Sequence, residues 1–155
     1  MDAVRQVRRL KARMEGERLP RGADRRTHFK LGYGGLSDVE WTVQLIQMQH
    51  AHEVPGLRTT QTLPAMAEAV SAGLLEESDA QALREAWSMA SRLRNAGMLL
   101  RGRPVDSVPS NVREADGVGR IVGLPPLSGT ALSESYRRSA RHARAVTDRV
   151  FYGEG

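Results

Sequence analysis

The sequence predicts an all-α fold, an antiparallel helical bundle of about five to six helices, and three observations predict it. Apolar residues recur at three- and four-residue steps in one segment after another, the spacing that gathers them on one face of a helix. Glycine and proline cluster between those segments. No stretch sustains the apolar-polar alternation of a half-buried strand, and no unit recurs at a fixed period.

Asp2 to Glu17 reads as the first helix, with Val4, Val7, Leu10 and Met14 as its apolar row and charges between them. Leu19-Pro20-Arg21-Gly22 ends it. His28-Phe29-Lys30-Leu31 then reads as a short extended segment leading into Gly32-Tyr33-Gly34-Gly35, where three glycines in four residues call for unusual backbone. The second helix, about Asp38 to His52, opens on Ser37-Asp38-Val39-Glu40, a capping-box pattern in which Ser37 caps and Glu40 bonds back. Its apolar residues form two rows, Val39-Val43-Ile46 and Trp41-Leu45-Met48, so it is expected to be central.

Val54-Pro55-Gly56 breaks that helix, and a third follows from about Thr62, with Pro64 in its first turn and Gly73 near its end. Ser78-Asp79-Ala80-Gln81 is a second capping-box pattern and opens a long fourth helix carrying Leu83, Ala86, Ala90, Leu93, Gly97 and Leu100. A loop from Gly102 to Pro109 precedes a weaker helix, Asn111 to Val122, interrupted by Gly117 and Gly119. After a turn rich in Pro and Gly, the last helix runs from about Thr130 to Gly153 with Leu132, Tyr136, Ala140, Ala143, Thr147 and Val150 on one face. Trp41 and Trp87 are expected core anchors.

With 155 residues, one domain with its own core is expected. Absence of cysteine removes disulfides and thiolate metal sites, and no apolar run is long enough to span a bilayer. A cytoplasmic protein without a membrane partner is expected. The net charge of +5 points ordinarily to nucleic acid, but the cations are almost all arginine, with Lys11 and Lys30 the only lysines. They are spread through every segment, few aromatics accompany them, and no nucleic-acid partner is expected.

The chemistry concentrates at Gly32 to Trp41. Asp38 and Glu40 suggest paired carboxylates for a magnesium ion, which work on a strand, where residues two apart face the same way. On a helix they diverge by about 200°, so this pair does not chelate one ion, and both acids instead complement the helix dipole. Gly34 and Gly35, with Lys30 upstream, have two readings. They present amides and an ammonium to a phosphate, or they let the chain turn sharply and pack closely. Gln44 and Gln47, three apart, either reach a nucleotide base or partner or form a polar stripe on a partly buried helix. His50 and His52 face different ways on a helix and lack a third ligand nearby, so no metal site is expected. Arg137, Arg141 and Arg144 line one face of the last helix, ordinarily a solvated face, to which an acidic partner would give a use in steering.

These residues also carry a resemblance. KLGYGGLSDVEWTVQLIQMQHA, Lys30 to Ala51, resembles the signature of glutamine synthetase adenylyltransferase. The likeness extends to ERLPRGADRRTHFKLG, to PGLRTTQTLPAM, to Trp87 through Asn95 and to RRSARHARAVTDRVFYG, nearly the whole chain. Tyr33 departs from many relatives, which have proline or another residue between the glycines. The resemblance implies a two-headed enzyme that attaches AMP to a tyrosine of glutamine synthetase and removes it, each nucleotidyltransferase head followed by a helical module similar to that of the PII uridylyltransferases. It implies that residues 1–22 are a connecting helix continuing a segment from the missing head, and 23–155 a helical domain in the C-terminal part of the larger enzyme.

Such heads carry Gly-Ser followed by Asp-x-Asp on a strand, and no such arrangement stands here. The resemblance therefore implies ATP and Mg²⁺ as cofactors of the parent enzyme, no catalytic residue in this chain, and no transfer by it alone. Glutamine synthetase, the PII signal protein and the missing head are the implied partners. Lys30, Gly34, Gly35, Asp38, Glu40 and Gln44 are the candidate residues near the nucleotide or its phosphates. An alternative implied function is a regulatory or docking module that binds PII or glutamine synthetase without touching nucleotide.

Overall fold

The computed structural model describes residues 3–154, so the expected helix start at Asp2 lies outside the described residues. Six α-helices follow in order: α1 (Ala3–Glu17), α2 (Leu36–His50), α3 (Thr62–Ser71), α4 (Glu77–Arg101), α5 (Val112–Ile121) and α6 (Gly129–Thr147). A 3₁₀ turn, Pro55–Leu57, leads into α3, and α6 continues into a π-helical turn, Asp148–Tyr152. Among the described residues there is no strand, only an isolated antiparallel bridge between His28 and Ser107. The fold is all-α, as its periodicities predict. Among the described residues no helix is long and apolar enough to cross a membrane.

Two apolar clusters make the core. In one, Val39, Val43 and Ile46 of α2 meet Met66 of α3, Leu83 of α4 and Val146 of α6. In the other, Phe29, Leu93, Val105, Val118, Leu132 and Tyr136 pack together, with the Phe29 and Tyr136 rings edge to face at 5.3 Å. Trp87 packs against both clusters, while Trp41 is half-buried with its ring edge to face against Phe151 at 6.3 Å. Helix α4, about 37 Å long at 1.5 Å per residue, packs along α6 and contributes to both clusters.

Several local expectations are corrected. His28 to Leu31 is a string of turns, because the amide of Gly32 bonds to the His28 carbonyl at 3.1 Å and that of Tyr33 to the Arg25 carbonyl at 2.9 Å. The Ser37 capping box does not form. Helix α2 starts at Leu36, with Gly35 as its N-cap and no side chain capping it. The first amides are satisfied by backbone: Leu36 N–H reaches the Phe29 carbonyl at 2.8 Å and Ser37 N–H the Lys30 carbonyl at 3.0 Å. Nor does Ser78 cap α4, which starts at Glu77 after Glu76, while Gln81 donates to Glu85 at 2.9 Å. Asn111 does cap α5, accepting from the amides of Arg113 and Glu114. The apolar rows slip too: Leu10 and Met48 are exposed, and the buried residue of α1 is Lys11.

Candidate functional site

The glycine corner is shaped by close packing. Gly34 has φ +66°, a conformation side chains resist, and a Cβ there would collide with the Ala140 carbonyl of α6. A Cβ on Gly35 would lie 2.6 Å from the Phe29 carbonyl oxygen. Corner and helix therefore meet backbone to backbone. The Gly35 amide bonds to the Gly32 carbonyl at 3.0 Å, and the Gly34 amide donates to Asp38 Oδ2 at 2.7 Å. The amides of Gly34, Gly35, Leu36 and Ser37 are thus all engaged within the chain.

Asp38 is 3% exposed. A carboxylate withdrawn that far from water needs counter-charge and donors, and it receives both. Lys11 Nζ, 2% exposed, donates to Asp38 Oδ1 at 2.5 Å, while Arg144 Nη1 donates to Oδ2 at 3.2 Å. Lys11 also bonds Glu15 one turn along α1, and Glu15 Oε1 accepts from Arg144 at 3.2 Å and from the Tyr152 hydroxyl at 2.9 Å. Arg144 Nε lies 2.7 Å from Asp148 Oδ1, an ion pair without hydrogen-bond alignment. Two cations and three carboxylates thus share one cluster. Four aromatic contacts sheathe it, with Lys11 over the Phe151 and Tyr152 rings at 5.5 and 5.2 Å and Arg144 over Tyr33 and Tyr152 at 4.7 and 5.4 Å.

Titration in the cluster follows these contacts. Burial works to raise the Glu15 pKa, but the Lys11 hydrogen bond and the charges of Lys11 and Arg144 outweigh it and hold the carboxyl below its ordinary value. Burial and the Glu15 hydrogen bond push the Tyr152 hydroxyl up, so it stays a donor. Burial would weaken the Arg144 charge, yet Asp38, Glu15 and Asp148 raise its pKa further. Glu15 and Arg144 are each thereby held in their charged forms near neutral pH. With both Asp38 oxygens occupied by protein donors and the carboxylate shut from solvent, Asp38 does not fit a magnesium ligand.

The other candidate positions point elsewhere. Lys30 and Gln44 are exposed and Glu40 half-buried, with Glu40 and Gln44 one turn apart on α2. Gln47 is structural, donating to the carbonyls of Leu57 and Thr59, both at 2.7 Å. Arg144 departs from the expected solvated arginine face, since the cluster takes its guanidinium inward. Lys11, Glu15 and Tyr152 were not singled out by sequence reasoning. No local signal marks Lys11, since the chain's other lysine, Lys30, is exposed.

The likeness read from the motifs can be measured. The sequence model of the family described as GlnD PII-uridylyltransferase matches residues 8–151. The chain belongs to that family. Relatives named bifunctional glutamine synthetase adenylyltransferase/adenylyl-removing enzyme include those of Streptomyces avermitilis, 60% identical over 98% of this chain, Streptomyces coelicolor, 56% over 97%, and Mycobacterium leprae, 47% over 97%. The chain spans 15% of the length of each of these relatives. Family members and relatives alike are thus named for nucleotidyl transfer, as the resemblance implies.

Proposed function

We propose that this chain is the helical module of an enzyme that transfers AMP from ATP to a tyrosine of glutamine synthetase. One observation carries the reading: identity of 60% across 98% of the chain to a bifunctional adenylyltransferase. ATP and Mg²⁺ belong to a head outside this chain, since Asp38 is closed off by its own ion pairs and Glu40 diverges from it. The PII signal protein enters as a proposed partner because the matched family is described by its action on PII.

In this reading α1 is the connecting helix from the head, and residues 23–155 form the module. The Lys11, Glu15, Asp38 and Arg144 cluster locks that connector to the glycine corner, so any tilt of α1 moves α2 and α6 with it. Gly34, Gly35 and Asp38 act inward as the brace, while the exposed Lys30 and Gln44 and the half-buried Glu40 are available to the head near the nucleotide. The test is adenylyl transfer to glutamine synthetase by the full-length enzyme carrying Lys30→Ala or Asp38→Asn. Asp38→Asn is expected to slow transfer about a hundredfold, because small misplacements of a reacting centre cost that much. Full activity of Asp38→Asn would overturn the brace, and full activity of Lys30→Ala the outward contact of Lys30 with the head.

A further inference from the structure

A concave groove runs along α6 beside the corner loop, with a volume of about 690 Å³, the size of a small-molecule site. Its lining from α6 follows one stripe at three- and four-residue steps, and chemistry alternates along it: Arg137, Arg141 and Arg144 stand beside the small side chains of Ala140 and Ala145. The alanines make a low floor between guanidinium walls. Arg26 closes the opposite side from the corner loop, next to Tyr33. Asp148 is the acid of the lining, and Arg144 already pairs with it at 2.7 Å.

The remaining cations are uncommitted. Arg137, Arg141 and Arg26 are exposed, and among the described residues no hydrogen bond or ion pair engages any of their side chains. Three unpaired guanidinium groups facing one concavity repel each other unless an anion lies between them. A guanidinium fork matches phosphate oxygens two at a time. Arg137 and Arg141 stand one turn apart, about 6 Å along the axis, which suits successive phosphates better than a single ion. A flat acidic protein surface would need these cations on a convex face, whereas here they flank a floor.

We propose that this groove binds a small ligand carrying two or more linked phosphate groups, held by Arg26, Arg137 and Arg141, with Arg144 pinned behind them. The site is separate from Lys30, Glu40 and Gln44, and its binding needs no catalytic head, so it stands or falls apart from the adenylyl-transfer reading.

The test is calorimetric titration of the full chain with inorganic pyrophosphate at low salt, with orthophosphate and ATP as parallel arms. Saturable binding of pyrophosphate, tighter than orthophosphate and weakened by added salt, is expected. The Arg137→Ala/Arg141→Ala pair should weaken it about tenfold or more, the loss of at least one charge-assisted contact. Arg113→Ala/Arg120→Ala removes the same charge from α5 and should leave binding intact. Arg26→Ala, on the loop wall, repeats the test should the α6 pair disturb its helix. ATP binding as tightly as pyrophosphate identifies the phosphate chain as the determinant, and tighter binding adds the nucleoside; both support the site. No saturable binding, equal loss in the α5 pair, pyrophosphate no better than orthophosphate, or tighter binding of a polyglutamate peptide would overturn it.

Discussion

At the scale of single residues, burial decides which side chains titrate with consequence. His28 is 4% exposed, and its Nδ1 accepts the amides of Leu31 at 3.0 Å and Lys30 at 3.3 Å, an arrangement open only to the neutral ring. Its pKa is lowered from 6.5, by burial first and by the charge of Arg94, with Asp106 opposing. Above pH 6.5 the ring is neutral folded or unfolded, and its stabilising contribution is complete. As the pH falls below that value the unfolded chain takes up the proton first, and stability is lost. Glu15 works in the same direction lower down, because a carboxyl held below 4.5 stabilises above that pH and loses its contribution as the pH falls through its folded value. His28→Asn supplies an amide oxygen for the same two N–H groups without titrating. Melts at pH 7 and 5.5 should show a drop for the parent chain and a smaller one for this variant, and equal drops would refute the assignment. His28→Ala leaves both amides without their acceptor and should cost about 1–3 kcal/mol at pH 7, and less at pH 5.5, where the parent chain has itself lost part of the His28 contribution.

At the scale of elements, α1 is attached unlike the others. No helix approaches it as closely along the backbone as α4 approaches α6, and its contacts are carried by long polar side chains. Arg8 Nε donates to the Phe151 carbonyl, Arg25 reaches the Glu15 carbonyl at 3.0 Å, and Lys11 enters the cluster. A helix held by charge detaches when one charge is removed. Lys11→Ala leaves Asp38 and Glu15 with Arg144 as their shared counter-charge and strips the donor from Asp38 Oδ1, a loss of up to about 3–5 kcal/mol. Hydrogen exchange should then accelerate through residues 3–17 while the middle of α4 keeps its protection. Lys11→Arg restores the charge but asks a planar fork to fit a space shaped for an ammonium, and should give intermediate exchange. Acceleration spread evenly over all helices would show that the cluster supports the whole fold and not the docking of α1.

At the scale of the whole molecule, the helices were legible in the sequence because their apolar spacing and the Pro and Gly breaks are local signals. The cluster was only half legible. Asp38 stood out, but its partners on α1, α6 and the terminal turn lie 27 to 106 positions away or more, and nothing local announces Lys11 as buried while Leu10 faces solvent. The division into two cores was hidden for the same reason, since it arises from how helices cross. That division has a testable consequence. Helix α4 supplies Leu83 and Ala86 to one cluster and Ala90 and Leu93 to the other, while α6 supplies Val146 to the first and Leu132 and Tyr136 to the second. Trp87 sits at the turn of α4 where one cluster gives way to the other, packed against both, with its buried Nε1 unpartnered. The parent chain should therefore unfold in one transition, with circular dichroism and tryptophan fluorescence coincident. Trp87→Ala removes the shared packing at a cost of about 3 kcal/mol, on the order of 10 °C in melting temperature for a chain of this size. It also leaves Trp41, beside Phe151, as the sole tryptophan, excited selectively at wavelengths where tyrosine does not absorb. Fluorescence then reports α2 and the terminal turn, while circular dichroism reports every helix. If Trp87 couples the two cores, the two signals should separate in this variant. Coincident transitions at the lowered temperature would mean that the continuous backbones of α4 and α6 suffice to couple the cores without it.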